Sequence, residues 1–209
     1  LPEVALLYGM VSISFALAEG IGRGFDLFPG LVKSGDFDRL LLRPVSTALQ
    51  VAGQELQFMR LGGLALGAMV LGFALNNLHL HWTVWKELLL LAAILGGACL
   101  FYGLFVLQAT LSFWTIETLE LMNTLTYGGV ETAQYPLSIY RPWFREFFTW
   151  VVPLAAVTFF PAHAILGRTG AGAPLPLVQW LSPLVGVLFL VVSLRVWKIG
   201  EYHYRSTGS

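Results

Sequence analysis

The sequence predicts an all-α, polytopic bundle of transmembrane helices. Of its 209 residues, 56% are hydrophobic and only 11% are charged, whereas a typical soluble domain is about 25% charged. The mean hydropathy is +0.72, and the apolar residues fall in runs of about 20, the length that a helix needs to cross a hydrocarbon core of about 30 Å. The 12 basic and 12 acidic residues balance, so the chain lacks the basic excess of a nucleic-acid-binding protein.

Four apolar runs are long enough to cross a membrane, at residues 1–20, 61–78, 88–108 and 176–197. The run at 61–78 carries glycines at spacings of about four residues, which let membrane helices pack closely. The chain begins with Leu1, almost directly at the first apolar run. We therefore expect a further N-terminal piece before it.

Lysine and arginine predict the orientation. Eight of the 12 basic residues lie in the loop at 21–60 or near the C terminus, in and around the tail at 198–209. Because basic residues concentrate in cytoplasmic loops, both segments are expected in the cytoplasm. The turn at 76–85 is then outside, and the chain must cross outward once between residues 108 and 176.

The segment at 114–135 is the hardest to place. Its polar residues fall on one stripe of a helix: Glu117, Glu120, Asn123, Thr124, Tyr127, Glu131 and Gln134. Each acid at the bilayer centre costs about 2.5–3.5 kcal/mol. The helix therefore lies flat at the interface, or it crosses with its stripe facing protein or a water-filled pathway.

The next segment, residues 136–167, contains Pro136, Pro142, Pro153 and Pro161. Prolines at this density break a helix, and broken backbone at membrane depth is tolerated where it is buried in protein or lines a cavity. Two arrangements are open here: a re-entrant pair of short helices, or one kinked span over residues 143–166.

Three stretches together resemble a known family. GDFDRLLLRPVS at residues 35–46, the proline-marked segment at 135–167 and the basic tail at 195–209 resemble type-2 ATP-binding-cassette (ABC) exporter permeases. The closest resemblance is to the bacterial branch in which two different permeases accompany one ATPase. It implies six spans in the whole protein and about five here, with 114–135 as a crossing helix, 136–167 re-entrant, and an elbow helix and first span preceding Leu1.

The resemblance also implies the function and the partners. The chain would be the transport subunit of an exporter and not itself an enzyme. The sequence contains no G-x-x-x-x-G-K-[ST] phosphate loop, so ATP and Mg²⁺ are expected on two copies of a separate ABC ATPase, with no cofactor in this chain. A second permease, paralogous or identical, and membrane lipid complete the expected partners; nucleic acid is not one. The expected location is the bacterial cytoplasmic (inner) membrane, with a cytoplasmic C terminus.

Two groups of candidate site residues follow. A short helix with apolar anchors and a charged rim has the composition for docking on an ATPase; its residues are Phe28, Leu31, Lys33, Asp36, Phe37, Asp38 and Arg39. The alternative is an amphipathic linker lying on the membrane. The candidates for the translocation pathway or the seam between permeases are Glu117, Glu120, Tyr127, Glu131 and Gln134. Alternatively, Glu117 and Glu120 merely lie at a cytoplasmic helix end.

Other functions fit the sequence less well. An ion-coupled secondary transporter would show an internal repeat, and a lipid-modifying membrane enzyme would need a nucleophile with a nearby base; the sequence shows neither. No metal site is expected, because His79 and His81 lack a third ligand nearby. His163 stands alone among apolar residues and is assigned a packing or interface role.

Overall fold

The computed structural model describes residues 2–55, 61–78, 82–114, 119–136, 139–167 and 176–204, with residues 61 and 119–125 described by their backbone alone. Every regular element in these ranges is helical, which confirms the predicted all-α bundle. The elements are α1 (Pro2–Ser34), α2 (Phe37–Leu41), α3 (Thr47–Ala52), α4 (Leu61–Asn77), α5 (Val84–Leu111), α6 (Leu119–Ala133), α7 (Pro142–Glu146), a π-helical turn (Phe147–Val151), α8 (Leu154–Val157), α9 (Phe159–Ile165), α10 (Pro176–Leu181) and α11 (Leu184–His203).

Two of the described helices, α1 and α5, are each long and apolar enough to cross a membrane. A third candidate is the pair formed by Pro142–Val151 and Leu154–Ile165, whose halves are bent by 71°. Pro153 lies at this bend, where it interrupts the helical hydrogen bonds. The pair is a broken span or a re-entrant loop, the two arrangements that the sequence left open.

Helix α1 is longer than the sequence analysis predicted. The predicted first span ends at residue 20, whereas the helix continues to Ser34. Its 33 residues measure about 50 Å at 1.5 Å each, well beyond a hydrocarbon core of about 30 Å. The extension is stable because Phe25 and Phe28 keep facing the core, while Arg23 and Asp26 form an ion pair of 3.1 Å one turn apart.

Glycines set how closely the helices pack. Where a Cβ on Gly24 would lie, the structure has the carbonyl oxygen of Val51, so α3 packs directly on the backbone of α1. Gly186 of α11 lies in the same way against the carbonyl group of Gly96 of α5. A side chain at either position would separate the two backbones, so these glycines are needed for close packing of the helices.

Helix α5 is the centre of the bundle, since it packs against both α1 and α11. The Ser14 hydroxyl of α1 is buried and lies 2.9 Å from the carbonyl oxygen of Ile94 on α5. The predicted last span, 176–197, is divided at Pro183 into α10 and α11, and α11 runs on to His203. Proline has no amide hydrogen to continue the helical bonding of α10.

Candidate coupling site

A cluster of aromatic rings closes the end of the bundle at which α1, α5 and α11 finish. Phe28 of α1 lies 5.1 Å from Phe37 of α2 and 4.7 Å from Trp197 of α11, measured between ring centroids. Phe37 also lies 4.9 Å from Tyr204. The full set, here called the aromatic cluster, is Phe25, Phe28, Phe37, Tyr102, Phe113, Trp197 and Tyr204.

The cluster changes the role of two predicted coupling residues. Phe28 and Phe37 were expected to be anchors on a docking surface, but both are 0% exposed inside the subunit. Each aromatic ring buries about 150–250 Å², so these two rings hold α2 on the bundle and are not free to enter a groove on a partner. Leu31 is half-buried and packs against the same core.

The turn from α1 into α2 is fixed by local chemistry. Gly35 has φ = 77°, a left-handed conformation that favours glycine at the end of a helix. The carboxylate of Asp36 accepts a hydrogen bond of 2.7 Å from the Ser34 hydroxyl and forms an ion pair of 3.4 Å with Arg39. Asp38 is half-buried. This turn sets the direction in which α2 leaves α1.

A glutamine side chain holds the loop after α2. The Nε2 group of Gln50 donates to the carbonyl oxygen of Leu40 at 3.0 Å and to that of Val45 at 2.8 Å. These carbonyls lie on either side of the loop, so the bonds prevent it from opening. The end of α2 and the loop after it carry exposed side chains, here called the exposed tip, which are Arg39, Leu41, Leu42, Arg43, Pro44 and Val45.

The exposed tip is where the outward-facing apolar and basic groups lie. Leu42 is 86% exposed and the Arg39 side chain is 82% exposed, and Lys33 at the end of α1 is also exposed. The predicted anchors were the largest apolar residues, and the exposed Leu41, Leu42 and Val45 were not among them. Large aromatic residues are mostly buried on average. This tendency could have indicated that Phe28 and Phe37 lie inside the subunit.

A buried hydrogen-bonded bridge joins α3 to α11. The indole Nε1 of Trp197 donates to the Thr47 hydroxyl at 2.9 Å, and that hydroxyl donates to Glu201 Oε2 at 3.2 Å. The bridge places the C-terminal end of α11 beside the segment between α1 and α4. Sequence reasoning missed these three residues, because no spacing signal connects positions 150 residues apart.

The structure divides the polar stripe of α6. Tyr127 and Glu131, one turn apart, are exposed, and the Tyr127 ring lies 5.6 Å from that of Phe15. Gln134 is instead buried in the turn after the helix. Glu117 lies outside the described residues, and so does the side chain of Glu120.

Depth makes the exposed pair unusual. Phe15, which contacts Tyr127, also contacts Phe101 in the middle of α5, 5.4 Å between centroids. Tyr127 therefore lies at mid-bundle depth on an outward surface of the subunit, and Glu131 is exposed one turn further along α6. Beyond the helix, burial raises the pKa of the Tyr140 hydroxyl. A hydrogen bond with Thr132 lowers this pKa, and the nearby Tyr135 and Glu131 raise it by smaller amounts.

Of the three histidines discussed in the sequence analysis, the structure describes His163. The His163 ring lies 4.2 Å from the ring of Phe159, as expected for a packing role. Across the described ranges, no group of three or more His, Cys, Asp or Glu residues is arranged to hold a metal ion. His79 and His81 lie outside those ranges.

The helical bundle and its membrane-length helices indicate a membrane protein. The chain belongs to the ABC-2 family of transporter proteins, which it matches over residues 1–208. It is therefore a multi-pass membrane permease of an ABC transporter, as the three resembling stretches predicted. Such permeases normally work with an ATPase subunit. No curated protein and no solved structure gives a significant match.

The different placement of Phe37 and Leu42 leads to a stability prediction. Phe37→Ala should leave a cavity in the aromatic cluster and lower the free energy of unfolding by about 3–5 kcal/mol. Leu42→Ala should change it by less than about 0.5 kcal/mol, because a surface substitution removes no packing. Thermal unfolding of the purified variants in detergent measures both. Equal stability of the two variants would contradict the buried position of Phe37.

Proposed function

We propose that this permease is one half of an exporter whose pathway is opened and closed by a separate ATPase docked on the exposed tip. The observation that supports the proposal is the way in which the tip is held on the bundle. Its apolar and basic side chains face outward, while Phe37, Gln50 and Gly35 fix it from beneath. A partner can move the bundle through such an element because the element itself does not yield.

The aromatic cluster supplies the route by which movement would spread. A push on α2 acts on Phe37, and Phe37 contacts Phe28 on α1 and Tyr204 beyond α11. Phe113, beyond α5, lies 5.2 Å from Trp197. Close-packed interiors transmit displacement and deform little, so α1, α5 and α11 would shift together and change which side of the membrane the pathway faces.

Nucleotide chemistry belongs to the partner in this proposal. The sequence has no phosphate loop, so ATP and Mg²⁺ would bind on the ATPase, two copies of which would serve a pair of permeases. The second permease is paralogous or identical to this one. Membership of the ABC-2 family favours this account over an ion-coupled transporter or a lipid-modifying enzyme, and the resemblance to the two-permease bacterial branch favours export.

The bridge from Thr47 to Trp197 and Glu201 bears on orientation. It ties the end of α11 to the segment between α1 and α4, so both must lie on the same side of the membrane. Together with the last turns of α1 they carry eight of the 12 basic residues, and the positive-inside rule favours the cytoplasm for both. The C terminus would then be cytoplasmic, in a bacterial inner membrane.

The exposed surface of α6 is the proposed pathway or seam between permeases. A carboxylate on a lipid-facing surface at membrane depth is costly, and such acids usually face a water-filled cavity or a protein partner. Glu131, exposed one turn from Tyr127 on a helix predicted to cross the membrane, therefore supports a water-filled route or a second permease against this face. Gln134 is buried in the subunit and has no part in that surface.

Docking on the tip is tested with Leu42→Asp. A buried charge at an apolar contact opposes binding, so the ATPase that co-purifies with the permease should fall at least tenfold, a loss of about 1.4 kcal/mol or more. Tyr202→Asp is the matched control, because Tyr202 is similarly exposed on α11 but lies outside the tip. Full ATPase recovery and normal transport with Leu42→Asp would contradict the proposed function.

The pathway role of α6 is tested with Glu131→Gln, which keeps the shape and removes the charge. Export of a cationic dye should slow about tenfold, since a charged contact is worth about 1.5–3 kcal/mol, while export of a neutral dye and ATPase recovery stay normal. Glu87→Gln, an exposed carboxylate in the first turn of α5, serves as the control and should have no effect. If both substitutions leave dye export unchanged, Glu131 does not face the pathway.

A further inference from the structure

A cavity of about 440 Å³ opens between the loop after α2, the start of α3 and the last turns of α11. Its size is within the range of small-molecule binding sites, about 300–1,000 Å³. Leu41, Arg43 and Val45 of the exposed tip form one wall of the cavity, but the proposed transport function uses only the outward surface of the tip and the face of α6 and gives the interior of the cavity no role. The chemistry of its walls indicates what it holds.

The walls of the cavity divide into an apolar part and a basic rim. Val191 and Leu194 of α11 and Ala48 of α3 form apolar wall. Arg43, Arg195 and Lys198 also line the cavity, and their side chains are exposed. The arrangement suits a ligand that is apolar at one end and anionic at the other.

The charges on the rim do not cancel. Over the described residues, no acidic side chain forms an ion pair with Arg43, Arg195 or Lys198. Glu201 is the acid that lines the cavity, and its carboxylate accepts the hydrogen bond from Thr47. Three cations against one engaged carboxylate leave a net positive cavity, which attracts an anion.

The position of the cavity along α11 narrows the class of anion. The exposed surface of the helix is apolar at Val191 and Val192 and becomes basic at Arg195 and Lys198. Such a change from apolar to basic marks the boundary between hydrocarbon and headgroups. A free anion would use only the rim, whereas a lipid would use the rim and the apolar wall together.

We propose that this cavity binds one anionic phospholipid. Its phosphate would lie among Arg43, Arg195 and Lys198, and an acyl chain would run along Val191 and Leu194. Basic pockets between membrane helices are established binding sites for anionic headgroups. Because the cavity is lined both by the segment between α1 and α4 and by α11, the lipid would contact both of the elements that the Thr47 bridge joins. The proposal does not depend on docking of an ATPase.

Lipid titration of the purified full-length protein, followed by native mass spectrometry, tests the proposal. Wild-type protein should retain one phosphatidylglycerol in preference to phosphatidylcholine with the same acyl chains. R195Q/K198Q should bind phosphatidylglycerol about 30-fold more weakly, since each basic residue near an anionic lipid contributes about fivefold. K33Q/R39Q is the matched control: it removes two cations beside α2 that do not line the cavity, and binding should stay at the wild-type level.

A second variant and a competitor complete the test. V191W fills the apolar wall with the rim charges intact and should also weaken phosphatidylglycerol binding, while millimolar inorganic phosphate should not displace the lipid. Equal retention of the two lipids, unchanged binding in R195Q/K198Q, or displacement by phosphate would each overturn the proposal. Unchanged lipid binding with loss of ATPase co-purification in R195Q/K198Q would show instead that the cavity is a protein contact.

Discussion

The packing of Phe28 against both Phe37 and Trp197 is the contact on which the rest of this end of the bundle depends. It joins the end of the long helix α1, the short helix α2 and the last helix α11 in a single packed group. Without it, α2 would be five residues attached by a glycine turn, too short to be stable by itself. With it, the short helix becomes a fixed projection of the bundle, and the residues beyond it are presented to a partner at a constant angle.

Hydrogen bonds fix the arrangement of the segment that the aromatic cluster holds in place. The Gln50 amide fixes the loop by two backbone carbonyls, and Thr47 joins α3 to α11 through Trp197 and Glu201. Hydrogen bonds of this kind add only about 0.5–1.5 kcal/mol each to stability, but they have strict geometry. The aromatic rings therefore supply most of the stabilisation, and the polar bridge selects one arrangement of the segment.

The sequence predicted the class of fold and the family because both depend on features that local patterns record. Long apolar runs predicted α1 and α5, and the prolines predicted the break within 136–167. Residues 21–34 differ from the prediction: charged residues and glycines after residue 20 suggested a loop, whereas the helix continues to Ser34, Gly24 is a packing contact and Arg23 is paired with Asp26. Composition alone does not distinguish a glycine that breaks a helix from one that lets helices approach.

The candidate site was only partly predictable for a related reason. The segment at 35–46 carried the resemblance to the family, but which of its side chains face outward depends on Phe113 and Tyr204, which are distant in the sequence and pack against Phe37. Phe37 was consequently assigned to the surface and Leu42 was overlooked. On α6 the periodicity placed Tyr127 and Glu131 on one face, and the structure agrees; Gln134 lies past the end of the helix, where that periodicity no longer applies.

We expect the segment between α1 and α4 to move with α11 as one body. The most direct test is the distance between spin labels at Leu49 of α3 and Tyr202 of α11, both exposed and outside the tip, measured by pulsed electron resonance in a Cys99→Ala background with the ATPase bound. One narrow distance distribution, unchanged between the nucleotide-free and ATP-bound complexes, is the result that the packed aromatic cluster predicts. A broad distribution, or one that shifts when ATP binds, would contradict it.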